Sequence, residues 1–138
     1  MTEAKTSAPR ARPLSPHLQI YKPMLTMMMS IAHRITGATL YFGMIVLAWW
    51  LISAAVGPNA YANVEWFMGS IVGRLILFGY TWALTHHMLG GIRHLIWDLG
   101  HGFGAQEREW LAAATIVGSV GLTIALWTVG YFVMGGPR

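Results

Sequence analysis

Residues 35–56 read "ITGATLYFGMIVLAWWLISAAV", a run without a single charged side chain. A membrane-spanning helix needs about 20 predominantly apolar residues, because each residue rises about 1.5 Å across a hydrocarbon core about 30 Å thick. This run therefore predicts a first transmembrane helix. The stretch 25–34 reads as a helical lead-in to it, and "GPN" at 57–59 predicts its end.

The overall composition also indicates a membrane protein. Of the 138 residues, 55% are hydrophobic and only 10% are charged, which excludes an ordinary soluble globule. The chain has no cysteine, so it cannot form a disulfide, a zinc–thiolate site or an iron–sulfur cluster by itself. The net charge of +4 comes from bases that flank apolar runs, so we expect a lipid bilayer as surroundings and no nucleic-acid partner.

Two further apolar stretches follow, at about 64–99 and about 109–134. We therefore predict an all-α transmembrane fold, with a three-span membrane domain at 25–138 and an irregular tail at 1–24. Three spans make a poor closed fold by themselves. Small residues such as "GSIVG" at 69–73 allow close helix packing, either within this chain or with a partner subunit.

Basic side chains are distributed unevenly around the predicted spans. The tail and the second loop carry Lys5, Arg10, Arg12, Lys22, Arg93 and Arg108, whereas the first loop carries none. The positive-inside rule therefore predicts a cytoplasmic N-terminus and a periplasmic C-terminus. The tail also lacks a long Arg- and Ser-rich transit segment, which favours a bacterial inner membrane over a mitochondrial one.

A cluster of ionisable residues, "HHMLGGIRHLIWD" at 86–98, continues the second apolar stretch. On a helix, His87, Gly91 and His94 share one face, which forms a trough with two imidazoles. The small residues that extend this face are Gly79 and Ala83. A flat haem fits such a trough, because the missing side chains let the ring lie against the backbone while the Nε2 atom of His87 reaches the iron.

His94 lies about 10 Å farther toward the inner side, where it and Arg93 can meet a haem propionate. His86 points about 100° away from His87, which leaves it a hydrogen bond or no role. The residues alone keep two other interpretations of the histidines open, namely hydrogen bonds between helices and a proton or ion pathway.

A second cluster, Ser30, His33 and Arg34, lies at the inner lipid boundary, with spacings that place all three on one helix face. A quinone carbonyl that is reduced needs a positive charge or a donor and a source of protons, which these side chains can supply. The alternative is an arginine that extends to the interface and fixes the depth of the helix.

Three motifs resemble the signature stretches of the cytochrome b subunit of succinate dehydrogenase, respiratory complex II. They are R-P-L at 12–14, S-x-x-H-R-x-T at 30–36 and H-x-x-x-G-I-R-H-L-x-W-D at 87–98. The resemblance covers nearly the whole chain. It implies a three-helix membrane subunit that completes a haem-binding bundle with a sister anchor subunit, next to an iron–sulfur subunit and a flavoprotein.

The resemblance also implies a role for each residue that matches a motif. His87 would be the axial ligand of a haem b shared with the sister subunit. His33, Arg34 and His94 would contact the propionates or line the route to them. Ser30 and Arg34 would help to form the ubiquinone site. The chain would anchor the complex and carry electrons, and it would perform no dehydrogenation itself.

Three alternatives remain at this point. The first is the anchor subunit of a quinol:fumarate reductase, which shares this architecture. The second is a non-redox, proton-conducting membrane subunit, although the polar groups gather toward the inner half instead of crossing the whole membrane. The third is a structural anchor with a vestigial site, which would bind no haem.

Overall fold

The protein is described by a computed structural model, which covers residues 13–133. This part of the chain contains five helices and no strand, so the expected all-α fold is confirmed. The helices are α1 (His17–Ile20), α2 (Leu25–Val56), α3 (Pro58–Gly69), α4 (Ile71–Asp98) and α5 (Ala105–Val133). Most of the expected tail, including Arg12 of the first motif, lies outside the described residues, and the remainder contains the short α1.

Two helices are each long and apolar enough to cross a membrane: α2, with 32 residues, and α5, with 29 residues. Helices α3 and α4 meet the same criterion as a pair, but they are bent by 80° relative to each other. The described chain therefore has two membrane-spanning helices, or three if the bent pair forms one span. The chain is a membrane protein, and the expected count of three spans stays a prediction.

The single helix expected at 64–99 is wrong, because the chain breaks at Ser70. This residue is extended (φ −67°, ψ 161°), and its hydroxyl accepts a hydrogen bond from the backbone N–H of Gly73 at 3.1 Å. That bond caps the N-terminus of α4 and satisfies a donor that an uninterrupted helix would have paired with a backbone carbonyl. The cap makes α3 a separate helix that turns away from α4.

Gly73 lets the bend close tightly. A Cβ atom at this position would overlap the backbone of Phe67 and Met68, at the C-terminal end of α3. Of the two glycines in "GSIVG", Gly73 thus serves the packing of α3 on α4 within one chain, which was one of the two uses that the sequence allowed. Gly69, the other member of the pair, faces open space.

The interior of the described chain is small and polar, whereas its large apolar side chains face outward. The buried hydrophobic residues are Met29, Val64, Ala83 and Ala112, and the buried polar ones include Thr36, Thr85, Thr115, Ser119 and Thr123. Large apolar side chains such as Trp66 and Phe132 are about four-fifths exposed, at 79% and 82%. This arrangement is typical of helices that pack through small residues and present their apolar surface to lipid or to other helices.

Helices α2 and α4 pack by placing rings against glycines. A Cβ atom at any of three glycines would contact or overlap a ring on the other helix: Gly37 with His87, Gly43 with Tyr80, and Gly90 with His33. Because the glycines lack side chains, the two backbones approach closely enough to enclose the rings. Two of the three enclosed rings are imidazoles, so this packing builds the candidate site.

We predict that Gly73→Ala destabilises the bend between α3 and α4. The new methyl group would overlap backbone atoms that cannot move aside, and overpacking of this kind costs about 1–3 kcal/mol. The midpoint of thermal unfolding of the detergent-purified protein should fall. Gly69→Ala is the matched control, since its Cβ meets nothing within 4 Å. Equal midpoints for the two variants would contradict this account of the bend.

Candidate functional site

Three imidazoles form a column at one end of the α2–α4 interface. The rings of His33 and His87 stack with centroids 4.0 Å apart and planes 6° from parallel. His94 continues the column, with its ring centroid 5.3 Å from that of His33 and its plane tilted by 51°. The structure thus brings together the histidines from the two sequence clusters.

The hydrogen bonds of His87 define which ring nitrogen is available to a ligand. Its Nδ1 atom lies 3.1 Å from the backbone carbonyl oxygen of His33. A carbonyl oxygen can only accept, so Nδ1 carries the proton and Nε2 keeps a lone pair. Within residues 13–133, Nε2 has no hydrogen-bond partner. His87 is therefore preorganised to donate Nε2 to a metal.

Two glycines on the face of α4 that was predicted to form a trough beside His87 face open space. A Cβ atom at Gly79 or at Gly91 would meet nothing within 4 Å. Ala83 is buried and, with Gly79 and Thr36, lines an apolar groove of about 840 Å³ that runs between α2 and α4 toward α3. The groove ends one helical turn before His87, and its lining includes neither His87 nor Gly91. A flat, mainly apolar macrocycle fits a surface of this shape.

One chain does not supply a complete metal site. In the part of the chain that the structure describes, no group of three or more His, Cys, Asp or Glu side chains is placed to hold a metal ion. A haem needs less, because its porphyrin occupies the equatorial positions and the protein adds axial ligands. The donors present therefore fit a haem that receives one axial ligand from this chain.

Buried polar atoms without a partner lie near the imidazole column. They are the Nε of Arg93 and the Nδ1 of His33, neither of which has a hydrogen-bond partner within residues 13–133. Arg93 is only 3% exposed, and its guanidinium lies 5.2 Å from the ring centroid of Trp97. A buried cation favours an anionic acceptor at this end of the bundle, whereas Nδ1 of His33 faces the backbone of Gly90.

The structure separates the three residues of the second cluster. His33 turns toward α4 and is half-buried, whereas Ser30 and Arg34 are exposed on the outside of α2. Their spacing of four residues still places the hydroxyl and the guanidinium on one face. Ser30 and Arg34 are thus available to a ligand or a neighbouring chain, and His33 belongs with the column.

His86 faces α5, about 100° around α4 from His87. It is 2% exposed, and its Nδ1 lies 3.2 Å from the hydroxyl of Ser119 on α5. The Ser119 hydroxyl donates to the carbonyl of Ile116 at 2.9 Å, so its oxygen is free to accept from His86. A hydrogen bond between helices was one of the interpretations that the sequence allowed for these histidines. His86 makes such a bond.

Trp97 belongs to the site although the sequence did not indicate a role for it. Its ring lies beneath the guanidinium of Arg93 and meets the ring of His94 edge-on, with centroids 5.1 Å apart. The indole N–H donates to the carbonyl of Gly102 at 3.2 Å, which fixes the ring against the loop after α4. Trp97 follows His94 by three residues and Arg93 by four, and this spacing could have indicated that the three side chains share one face of α4.

Comparison with known proteins shows to which family the chain belongs. Residues 8–130 match the model of the family described as "Succinate dehydrogenase/Fumarate reductase transmembrane subunit". The chain belongs to this family. The resemblance expected from the three motifs is thereby confirmed, and the chain is a subunit of an oxidoreductase complex.

Individual relatives agree with the family match. The succinate dehydrogenase cytochrome b556 subunit of Paracoccus denitrificans is 43% identical over 122 residues, covering 88% of this chain and 93% of the relative. The corresponding subunit of Rickettsia conorii is 39% identical over 127 residues, covering 92% and 99%. The mitochondrial cytochrome b560 subunit of Mus musculus is 37% identical over 111 residues, covering 77% and 63%. These names favour succinate dehydrogenase over the fumarate-reducing alternative.

We predict that Ser119→Ala destabilises the α4–α5 interface without changing any ligand at His87. The substitution leaves the buried Nδ1 of His86 without an acceptor, which costs about 1–3 kcal/mol. The midpoint of thermal unfolding should fall relative to Thr128→Ala, which removes an exposed hydroxyl bonded only within its own helix, to Ile124. An unchanged midpoint would show that the His86 bond does not hold the helices together.

Proposed function

We propose that this chain is the membrane-anchor cytochrome b subunit of a succinate:ubiquinone oxidoreductase. The observation that carries the proposal is the geometry of His87, with Nδ1 bonded to the backbone of α2, Nε2 free, and two glycines on the same face of α4 that face open space. The names of the relatives, which are cytochromes b of succinate dehydrogenase, support the same function.

In this function His87 would hold the iron of a haem b through Nε2, and a sister membrane anchor would supply a second ligand. When bound, the haem takes up one electron and gives it back. The protein side of this chemistry is positional, since the backbone of α2 holds the imidazole and the glycines of α4 leave space for the macrocycle.

The cationic end of the bundle would hold the haem propionates. His33 and Arg93 have buried polar atoms without partners in residues 13–133, and His94 is exposed at the same end. A carboxylate that accepts from these groups forms charge-assisted hydrogen bonds, which are stronger than neutral ones. Burial of Arg93 under Trp97 makes it a fixed positive charge behind the two histidines.

Ser30 and Arg34 contribute to the ubiquinone site. Both side chains are exposed on α2, close in sequence to His33 of the column. The hydroxyl and the guanidinium orient a quinone carbonyl by donating to its oxygen, and the fixed charge of Arg34 stabilises negative charge that develops there on reduction. Protons then reach the oxygen through Ser30 or water at the interface.

The exposed apolar surfaces of the helices contact lipid and the sister anchor, with the bent pair α3 and α4 counted as one span. The iron–sulfur subunit and the flavoprotein bind at the end that carries Arg34 and His94. The flavoprotein oxidises succinate, so this chain anchors, transfers electrons and binds quinone. Its location is a bacterial inner membrane, with a cytoplasmic N-terminus and a periplasmic C-terminus, as the distribution of Lys and Arg favours.

His87→Gln should abolish haem binding in the assembled complex. The matched control is His86→Gln, which changes the neighbouring residue on the α5 side of α4. The measurement is a reduced-minus-oxidised optical spectrum with succinate as the reductant. The flavin content gives the amount of complex, so the ratio of haem to flavin gives the amount of haem per complex. We expect sharp haem b bands for the parent protein and for His86→Gln, and their loss for His87→Gln.

Two results would refute the haem assignment. Normal bands in an assembled His87→Gln complex would exclude His87 as the ligand. The absence of haem from the parent complex would leave the chain a structural anchor with a vestigial site. If His87→Gln does not assemble, electron paramagnetic resonance of the parent complex decides, because a low-spin signal of bis-histidine ligation is then required.

Arg34→Ala should reduce succinate:quinone reductase activity about 100-fold or more, the usual effect of removing a donor that stabilises developing charge. Succinate oxidation with an artificial acceptor that takes electrons from the peripheral subunits should be unchanged. Arg74→Ala is the control, because Arg74 is also exposed but lies near the start of α4, far along the chain from the column. Full quinone turnover by Arg34→Ala would exclude Arg34 from the quinone site.

A further inference from the structure

We propose that Thr36 is a positioning residue for the haem ligand, because its hydroxyl oxygen, together with the carbonyl of His33, fixes the tautomer and ring orientation of His87. The proposal rests on the proposed ligation of haem by His87. Thr36 belongs to the motif S-x-x-H-R-x-T, and its role is not explained by the quinone site.

The directions of the hydrogen bonds at Thr36 support this role. Its hydroxyl has one proton, which it donates to the carbonyl of Ala32 at 2.9 Å or that of His33 at 3.0 Å. The oxygen of the same hydroxyl lies 3.4 Å from Nδ1 of His87 and, with its proton engaged, can only accept from it. Both oxygens next to Nδ1 are thus acceptors, which leaves the proton on Nδ1 and the lone pair on Nε2.

Thr36 differs in this respect from Thr39 and Thr128, and it is the histidine at the other end of its contact that sets it apart from the buried Thr85 and Thr123, which meet each other. Thr39 and Thr128 are exposed, and their hydroxyls bond only to a carbonyl of their own helix, four residues back. Thr36 is 2% exposed and meets a side chain of another helix. A buried hydroxyl destabilises the protein unless it has a polar partner. The partner on the other helix is the imidazole of His87.

The ring of His87 is held at its face and its edges. His33 stacks on one face at 4.0 Å, and a Cβ atom at Gly37 would lie 3.0 Å from Cε1. Thr36 and the His33 carbonyl hold the Nδ1 edge. Rotation of the ring about its axis would break these contacts, so the direction of Nε2 is fixed before any ligand binds.

Acceptors at the N–H of a metal-bound imidazole make it a stronger electron donor to the metal. An iron that receives more electron density favours its oxidised state. Loss of the acceptor at Thr36 should therefore shift the reduction potential of the haem to a more positive value. A residue that served only to pack α2 against α4 would change stability and leave the potential alone.

The experiment uses the whole complex with Thr36→Val, which keeps the shape of the side chain and removes the hydroxyl. Thr36→Ser keeps the hydroxyl, and Thr128→Val removes an exposed hydroxyl elsewhere. The readouts are the haem potential from a redox titration and the low-spin signal in electron paramagnetic resonance. We expect a positive shift and an altered signal for Thr36→Val, and parent values for Thr36→Ser and Thr128→Val.

Haem with an unchanged potential and signal in Thr36→Val would overturn the role of Thr36 and leave ligation by His87 intact. Absence of haem from the parent complex would instead overturn the proposed function. Should Thr36→Val fail to assemble, Thr36→Ala is measured in the same way. The proposal would also be overturned if neither Thr36 variant assembles while the haem-free His87→Gln complex does. Thr36 would then be needed for helix packing and not for the haem ligand.

Discussion

The hydrogen bond from the Nδ1 of His87 to the backbone of α2 is the contact on which the rest of the site depends. It places an imidazole between two helices, and that is possible only where the opposing backbone carries no side chain, as at Gly37. The reciprocal contact, in which the ring of His33 lies against Gly90, sets the same separation from the other side. The spacing of α2 and α4 and the direction of Nε2 therefore have one cause, so changes in packing alter the ligand geometry as well.

Two neighbouring histidines of α4, His86 and His87, have different roles because they lie on different faces of the helix. His86 bonds to a hydroxyl of α5, in an interface of buried Thr and Ser side chains that joins the two helices without a large apolar core. His87, one position later, bonds to α2 and leaves a nitrogen for a ligand. Since successive residues on a helix differ by about 100°, a histidine doublet can support both an internal interface and a binding surface.

The sequence predicted the features that depend on local composition and failed where packing decides. The apolar run after Arg34 predicted a helix to Val56, because length and hydrophobicity alone define a span. Ser70 was missed, since a serine cap inside an apolar stretch breaks a helix only when a neighbour such as Gly73 allows the bend. The inward turn of His33, away from Ser30 and Arg34, follows from the stack with His87, which no periodicity within α2 reveals.

The burial of Arg93 bears on how the site is completed. A guanidinium that is 3% exposed and lacks a partner at Nε within residues 13–133 carries a penalty of several kcal/mol, which contact with the ring of Trp97 offsets only by about 0.5–2 kcal/mol. Selection of such a residue is reasonable only if an anion reaches it in the assembled protein. The unpaired Nδ1 of His33 lies at the same end, where it faces the backbone of Gly90. The polar interior of this subunit thus contrasts with its apolar exterior, which suits lipid and neighbouring helices.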